Sequence, residues 1–246
     1  MDPSVFPVMA LLLYLGAHGL RCVRLYILSL GERRGGARLV AAHCLTAWLN
    51  ALIPFKLGEA LRIATFGAAV RDPLSGMAIW LVERLSDALA LTVLLAGLAL
   101  LVPLGLTGRI VLAISGAFIV ACAFGAWIAL ELVPFLRRDL LCRSRSNKGL
   151  ALLKVIHRVE HAMAQARVLL VGRFSVTLLA AFLIWACELG AAALWSWHAA
   201  GEPGAALDLL STDPEALSQR TPVFVALTAI GVVLTGSIIV RRRRAG

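Results

Sequence analysis

The sequence predicts an all-α polytopic membrane protein with about five full spans, a re-entrant helical hairpin and one interfacial amphipathic helix. Three observations carry that prediction: a composition too apolar for a water-facing surface, five uncharged runs of near-membrane length, and basic residues gathered between only some of those runs. Of 246 residues, 60% are hydrophobic and 15% are charged, with a mean hydropathy of +0.87. An ordinary soluble domain is about 45–50% apolar and about 25% charged. An unpaired backbone group in lipid costs several kcal/mol, so helices are the default spanning element.

The first run, Pro3 to Leu20, continues as helix-compatible sequence to Leu30, and Met1-Asp2-Pro3-Ser4 lacks the basic n-region of a secretory signal. It reads as a retained span. The other runs are Ala88 to Gly108, Ile110 to Leu130, Phe174 to Gly201, broken once at Glu188, and Thr221 to Val240. Each approaches or reaches the roughly 20 residues that cross a hydrocarbon core.

Basic loops stay cytoplasmic. Lys and Arg concentrate between Arg21 and Arg38, at Arg71, between Arg137 and Arg173, and in the tail Arg241 to Arg244. The loops Val102 to Arg109 and Glu202 to Arg220 carry almost nothing basic and belong outside. The N-terminus then starts outside and the C-terminus ends in the cytoplasm. The crossings run from the first span to Leu74–Val102, Ile110–Val133, Phe174–Ala199 and Pro222–Val240, as one transmembrane domain over residues 1–246 closed by a basic cytoplasmic tail, 241–246. Residues 39–70 must begin and end on the cytoplasmic side, and their two apolar arms are each short for a crossing. They are expected to form a re-entrant hairpin, broken at Ile53-Pro54-Phe55-Lys56-Leu57-Gly58, where proline removes a donor and glycine permits irregular backbone.

Residues 148–172 differ from the spans. Leu152, Ile156, Val159, Met163, Ala166 and Leu170 repeat every three or four positions opposite Lys154, His157, Arg158 and His161, the pattern of an amphipathic helix lying on the inner surface. It serves equally well as a connector that covers the bundle or as a lipid-sensing element. Topology accounts for the basic clusters, and a nucleic-acid partner is not expected.

Five cysteines, Cys22, Cys44, Cys122, Cys142 and Cys187, show no C-x-x-C spacing and are assigned to packing. His18, His43 and His198 lack the company of a metal site. Trp195, Trp197 and Tyr26 fall near proposed span ends, where aromatic side chains form interfacial belts. Neither a metal nor a cofactor is expected.

Lys56, Arg62 and Arg84 remain once the loops are accounted for, and all lie close in sequence to Glu59, Glu83 and Asp87. A charge at the bilayer centre costs about 2.5–3.5 kcal/mol on insertion scales, so such residues normally face a bundle interior and find partners. Glu59 and Arg62 are three apart, Arg84 and Asp87 three apart, and Glu83 and Asp87 four apart, so each set occupies one helix face. The two acids on one face need a cation nearby, a role open to Lys56 and Arg62. The six residues form a candidate substrate-binding cluster, with phosphate at the basic groups and an amine, sugar or proton at the acids. The alternative is that Glu83, Arg84 and Asp87 lie at the interface as solvated anchors. Glu188, in the middle of an apolar run, is expected to be protonated or paired across helices, and is a candidate pathway residue.

The spacing Pro54-x-Lys56-x-Gly58-Glu59-x-x-Arg62, followed by Glu83-Arg84-x-x-Asp87, resembles the signature of the lysylphosphatidylglycerol synthase transmembrane-domain family, also called flippase-like. Lys56 stands where that family usually has arginine, and a lysine keeps the charge without the bidentate geometry. Arg21-x-x-Arg24 at the end of the first span also fits the family's layout, and the family's later P-G-G-x-G-x-x-E motif does not occur between Phe174 and Gly246. The resemblance implies an inner-membrane protein that moves phospholipids, such as aminoacylated phosphatidylglycerol, or lipid-linked sugars between leaflets. The aminoacylating activity of that family belongs to a separate soluble domain.

The leading expectation is therefore translocation or binding of anionic or aminoacylated phospholipid or lipid-linked sugar, without enzymatic activity. Membrane lipids are the expected partners, with a separate synthase or glycosyltransferase as a further one. No GxxxxGK[ST] loop occurs, so ATP is not the expected fuel. A membrane enzyme acting on a lipid phosphate and a non-transporting accessory subunit of a cell-envelope synthesis complex are the alternatives.

Overall fold

The computed structural model describes residues 5–29, 35–47, 57–101, 104–143, 147–200 and 214–244, and these are all helical apart from short connections. Eight helices follow one another among them: α1 (Val5–Leu28), α2 (Gly36–Thr46), α3 (Leu57–Val70), α4 (Pro73–Leu101), α5 (Leu106–Arg143), α6 (Asn147–Leu170), α7 (Phe174–Ala200) and α8 (Pro214–Arg244). Five of them, α1, α4, α5, α7 and α8, contain a segment long and apolar enough to cross a membrane. The chain is a multi-pass membrane protein.

Helices α2 and α3, of 11 and 14 residues, reach only about 17 and 21 Å at a rise of about 1.5 Å per residue, short of a hydrocarbon core of about 30 Å. They pack against each other, and α2 also packs against α1 and α8. The start of α2 lies against the end of α1, since a Cβ on Gly36 would meet the Ser29 hydroxyl and the Tyr26 ring. The end of α3 lies against the start of α4. A Cβ on Gly76 would stand 2.2 Å from the Gly67 nitrogen and 2.4 Å from its Cα, so two glycines let the backbones touch where the helices cross. Of the break expected at Ile53 to Gly58, residues 53–56 lie outside the described residues, Lys56 among them, while Leu57 and Gly58 already belong to α3.

The α3–α4 junction is capped from both sides. Arg71, at φ 63°, takes the left-handed conformation after α3, and Asp72 N–H donates to Gly67 O at 3.1 Å, which satisfies one of the carbonyls a helix end leaves open. Asp72 then caps α4: its carboxylate accepts from the Ser75 N–H at 2.9 Å and the Ser75 hydroxyl at 2.5 Å. Pro73 follows at the first helical position, where no N–H is needed.

Two apolar clusters hold the bundle. One gathers Leu25, Leu28, Leu39, Phe66, Ile79, Val82 and Leu169, from the end of α1, the start of α2, the end of α3, the start of α4 and the end of α6. The other gathers Ala10, Tyr14, Cys44, Ala191, Trp195, Phe224 and Leu227, from α1, α2, α7 and α8. Trp195 is thus a buried packing residue with its ring 6.0 Å from that of Tyr14, rather than the belt residue expected from its place near a span end. Tyr26 is exposed.

Helix α5 lies at the edge of the bundle, against α4 and α6, with most of its apolar side chains exposed. It runs past the apolar stretch ending at Leu130 to Arg143, and Arg137 there forms an ion pair with Glu160 of α6 at 3.3 Å. Of the apolar stripe expected on α6, Ile156 is buried and Ala166 and Leu170 pack on the first cluster beside Leu169, whereas Leu152 and Val159 stay exposed.

Candidate functional site

An ionic layer lies between the two apolar clusters. On α1 its members, Arg21 and Arg24, fall between Tyr14 and Leu25. On α2, His43 falls between Leu39 and Cys44. On α3, Arg62 precedes Phe66, and on α4, Glu83 and Asp87 follow Val82. Each helix contributes its polar residues at the same level, so the charges meet one another and little else.

Arg24 is the centre of the layer. Its Nη1 donates to Asp87 Oδ1 at 2.5 Å, and its Nη2 donates to Glu83 Oε1 at 2.9 Å and Asp87 Oδ2 at 3.2 Å. The two bonds to Asp87 make the bidentate fork in which arginine–carboxylate bonds are strongest, and the same guanidinium also reaches Glu83 on that helix face. Arg62 Nη2 donates to the same Glu83 Oε1 at 2.7 Å. The Arg62 guanidinium also lies 5.2 Å from the centre of the Phe66 ring, a cation–π distance. On the far side of Arg62, Nη2 meets His43 Nδ1 at 3.1 Å, and His43 Nε2 meets His18 Nδ1 at 3.4 Å.

Arg84 faces the opposite way, 3.6 Å from Asp87 Oδ2 and 3.7 Å from Glu59 Oε2. Glu59 in turn accepts from the Trp80 indole N–H at 2.5 Å. This edge is the open part of the layer. The side chains of Arg84 and Glu59 are 26% and 22% exposed, whereas those of Arg24 and Glu83 are fully enclosed. A second branch joins Arg21 to Glu188 of α7 at 2.6 Å. The described network balances four guanidinium groups (Arg21, Arg24, Arg62 and Arg84) against four carboxylates (Glu59, Glu83, Asp87 and Glu188). Within it, Glu83 Oε2, Arg24 Nε and Arg62 Nε are buried without a hydrogen-bond partner.

Of the residues predicted from sequence, Glu59, Arg62, Glu83, Arg84 and Asp87 come together, and Glu188 is paired across helices. The solvated-anchor alternative does not hold for Glu83 and Asp87, which are buried. Glu59 takes Trp80 and Arg84 as partners rather than Arg62, its neighbour on α3. Lys56 lies outside the described residues. Sequence reasoning missed Arg24 and Arg21 as network members, having counted them among loop charges, and missed His18, His43 and Trp80. The available signal was position: His18, Arg21 and Arg24 recur every three residues on a helix that extends to Leu28, and so share a face.

Residues 1–201 match the family model described as the lysylphosphatidylglycerol synthase TM region. No curated protein and no solved structure matches the chain.

Proposed function

This chain belongs to the family of lysylphosphatidylglycerol synthase transmembrane regions, and from that premise we propose that it binds lipid headgroups in the cytoplasmic membrane and carries them between leaflets. The observation that carries this reading is the half-open edge of an otherwise sealed ionic layer, where Arg84, Glu59 and Trp80 lie side by side. A guanidinium there suits a phosphate, and a carboxylate beside an indole suits an amine or a sugar hydroxyl. Anionic or aminoacylated phospholipids and lipid-linked sugars are the headgroups that fit. Glu59, Arg62, Glu83, Arg84 and Asp87 make the proposed site together with Lys56 of the same sequence cluster, and Glu188 belongs to the pathway.

In this reading the α2–α3 hairpin dips into the membrane from the cytoplasmic face and returns, and α6 lies along that face. The basic stretches point the N-terminus outward and the C-terminus into the cytoplasm. The protein performs no covalent chemistry on the lipid, and a separate synthase or glycosyltransferase supplies the modified lipid.

Leaflet exchange of fluorescent lipids in liposomes tests the reading. Wild-type protein is expected to exchange anionic lipid or lipid-linked sugar faster than empty liposomes. The pair Glu59→Gln with Arg84→Gln, which removes one charge of each sign, is expected to lower exchange to the empty-liposome rate while the protein stays folded. Folded wild type that exchanges neither lipid overturns the reading. Co-purification with a synthase would then favour an accessory subunit, and metal-dependent turnover of a prenyl-phosphate sugar would favour an enzyme.

A further inference from the structure

The two histidines joined to the ionic layer have no part in holding a headgroup, yet their hydrogen bonds are ordered in one direction. A guanidinium only donates. Arg62 Nη2, 3.1 Å from His43 Nδ1, therefore requires that nitrogen to accept, and the proton of His43 sits on Nε2. That Nε2–H points at His18 Nδ1, 3.4 Å away, which must accept in turn, leaving the His18 proton on its own Nε2. Both rings are held as the same neutral tautomer, and in both the basic nitrogen already receives a hydrogen bond from a donor.

A second proton on either ring has nowhere to go without breaking a contact. On His43 it would set an N–H against the Arg62 guanidinium, two donors and two positive charges face to face. On His18 it would set an N–H against the His43 N–H. We propose that His43 and His18 are the proton-binding element of this protein, and that uptake of one proton from solution at His43 Nδ1 breaks its contact with Arg62 and releases α2 from the ionic layer. The proton binds the separated arrangement in preference to the closed one, so acid shifts the population toward separation. Arg62 then keeps Glu83 as its partner, and the hairpin arm α2 is free to move against α1 and α3.

Among the described residues, no carboxylate forms a hydrogen bond or ion pair with His43 that would neutralise the new charge in place. The groups that act on His43 are His18, Arg21 and Arg24 from α1 and Arg62 from α3, while Tyr14 of α1 stands edge-on to His18 and the thiols of Cys22 and Cys44 face each other across α1 and α2. Helix α8 offers the pair the Phe224 ring, edge-on to His18, and has no ionisable residue between Thr221 and Ile238. The acids of the ionic layer, Glu83 and Asp87, are already held by Arg24 and Arg62. The pair rests on the headgroup reading only for its purpose, which is to couple hairpin movement to a proton gradient. The movement itself can be measured without lipid exchange.

A native reporter spans the same interface one residue beyond His43, where Cys22 Sγ of α1 lies 3.9 Å from Cys44 Sγ of α2. In protein whose other three cysteines are serine, oxidative cross-linking of this pair is compared between about pH 7.5 and about pH 5.5, the range over which histidine changes charge. The comparison is His43→Asn, whose amide oxygen still accepts from Arg62 but takes up no proton. Thiol ionisation alters the rate in both proteins alike. Cross-linking is expected to fall several-fold more in the protein that retains His43 than in His43→Asn. Equal pH dependence of the two overturns the proposal. Should His43→Asn fail to fold, nitrogen-15 spectra of histidine-labelled wild type decide: two neutral Nε2–H imidazoles of which at least one gains a proton at Nδ1 on acidification support the proposal, and two that both remain neutral at about pH 5.5 overturn it. Lipid exchange without a pH-dependent cross-link leaves the headgroup reading standing and removes this one. A pH-dependent cross-link without lipid exchange does the reverse.

Discussion

Arg24 and Asp87, 63 residues apart in the chain, are joined by two hydrogen bonds of 2.5 and 3.2 Å inside the helix bundle, and the same guanidinium reaches Glu83 at 2.9 Å. One cation thereby separates two acids that share a helix face. Without it they would confront each other across one turn of α4, in surroundings where charge repulsion is poorly screened.

Replacing Arg24 is therefore expected to damage the fold more than replacing any basic residue of the exposed α6 face. Removing one member of a buried ionic group costs about 3–5 kcal/mol, because the partners stay buried and uncompensated. Arg24→Met should lower the unfolding midpoint in detergent sharply. Arg24→Lys should recover only part of the loss, since an ammonium keeps the charge but not the fork that spans both acids. A midpoint for Arg24→Met equal to that of wild type would contradict the assignment.

The Arg21–Glu188 bridge ties α1 to α7 at 2.6 Å with both side chains largely buried. Arg21→Met or Glu188→Met alone is expected to cost about 3 kcal/mol. The two together should cost less than either, because a hydrophobic pair replaces an ionic one without leaving a lone charge. A double-mutant cycle on thermal stability measures the coupling, and strict additivity would show that the two residues do not interact.

Two glycines of α4 predict opposite outcomes. Alanine at Gly76 would drive its Cβ into the backbone of Gly67 and Phe66, with atoms at 2.2, 2.4 and 2.8 Å. Backbone does not yield as a side-chain tip does, so Gly76→Ala should separate α3 from α4 and prevent recovery of folded protein. Gly97 has nothing within 4 Å of that position, and Gly97→Ala should be neutral or add about 0.5–1 kcal/mol through lower backbone entropy in the unfolded chain. Size-exclusion profiles of the two variants, purified side by side, check the contrast.

The cap of α4 carries a pH dependence of definite sign. Hydrogen bonds from the Ser75 hydroxyl first, and then from the Ser75 and Leu74 N–H groups, hold the Asp72 carboxyl below its usual range. A carboxyl depressed on folding adds stability above its unfolded value and loses that contribution as pH falls through the folded one. Asp72→Ala should cost about 1 kcal/mol at neutral pH, a usual value for losing an N-cap, and the difference from wild type should shrink on acidification below the ordinary carboxylate range. A gap that stays constant through that range and on below it would show that the carboxylate is not the capping group.

Much of the architecture is legible in the chain because membrane solvation acts on local sequence. A run of about twenty apolar residues has one stable outcome in lipid, and Ala88 onward, Ile110 onward, Phe174 onward and Thr221 onward all lie in helices of spanning length. The acids Glu83 and Asp87 are recognisable as a pair for the same reason, since helical spacing is a local property. The role of Arg24 is not. At the end of an apolar run, an arginine can extend toward the headgroups or turn into the bundle, and its sequence neighbours are the same in both cases. Which of these occurs depends on the rotation of α1 about its axis and on how closely α4 approaches, and neither is encoded within one helix. Composition and spacing by themselves determined that this protein is a multi-pass helical bundle with charges it must bury. Tertiary structure alone decided that Arg24 separates the two acids, that Arg21 holds Glu188 and that the histidines join the layer, because each of those contacts depends on side chains from different helices meeting at one level.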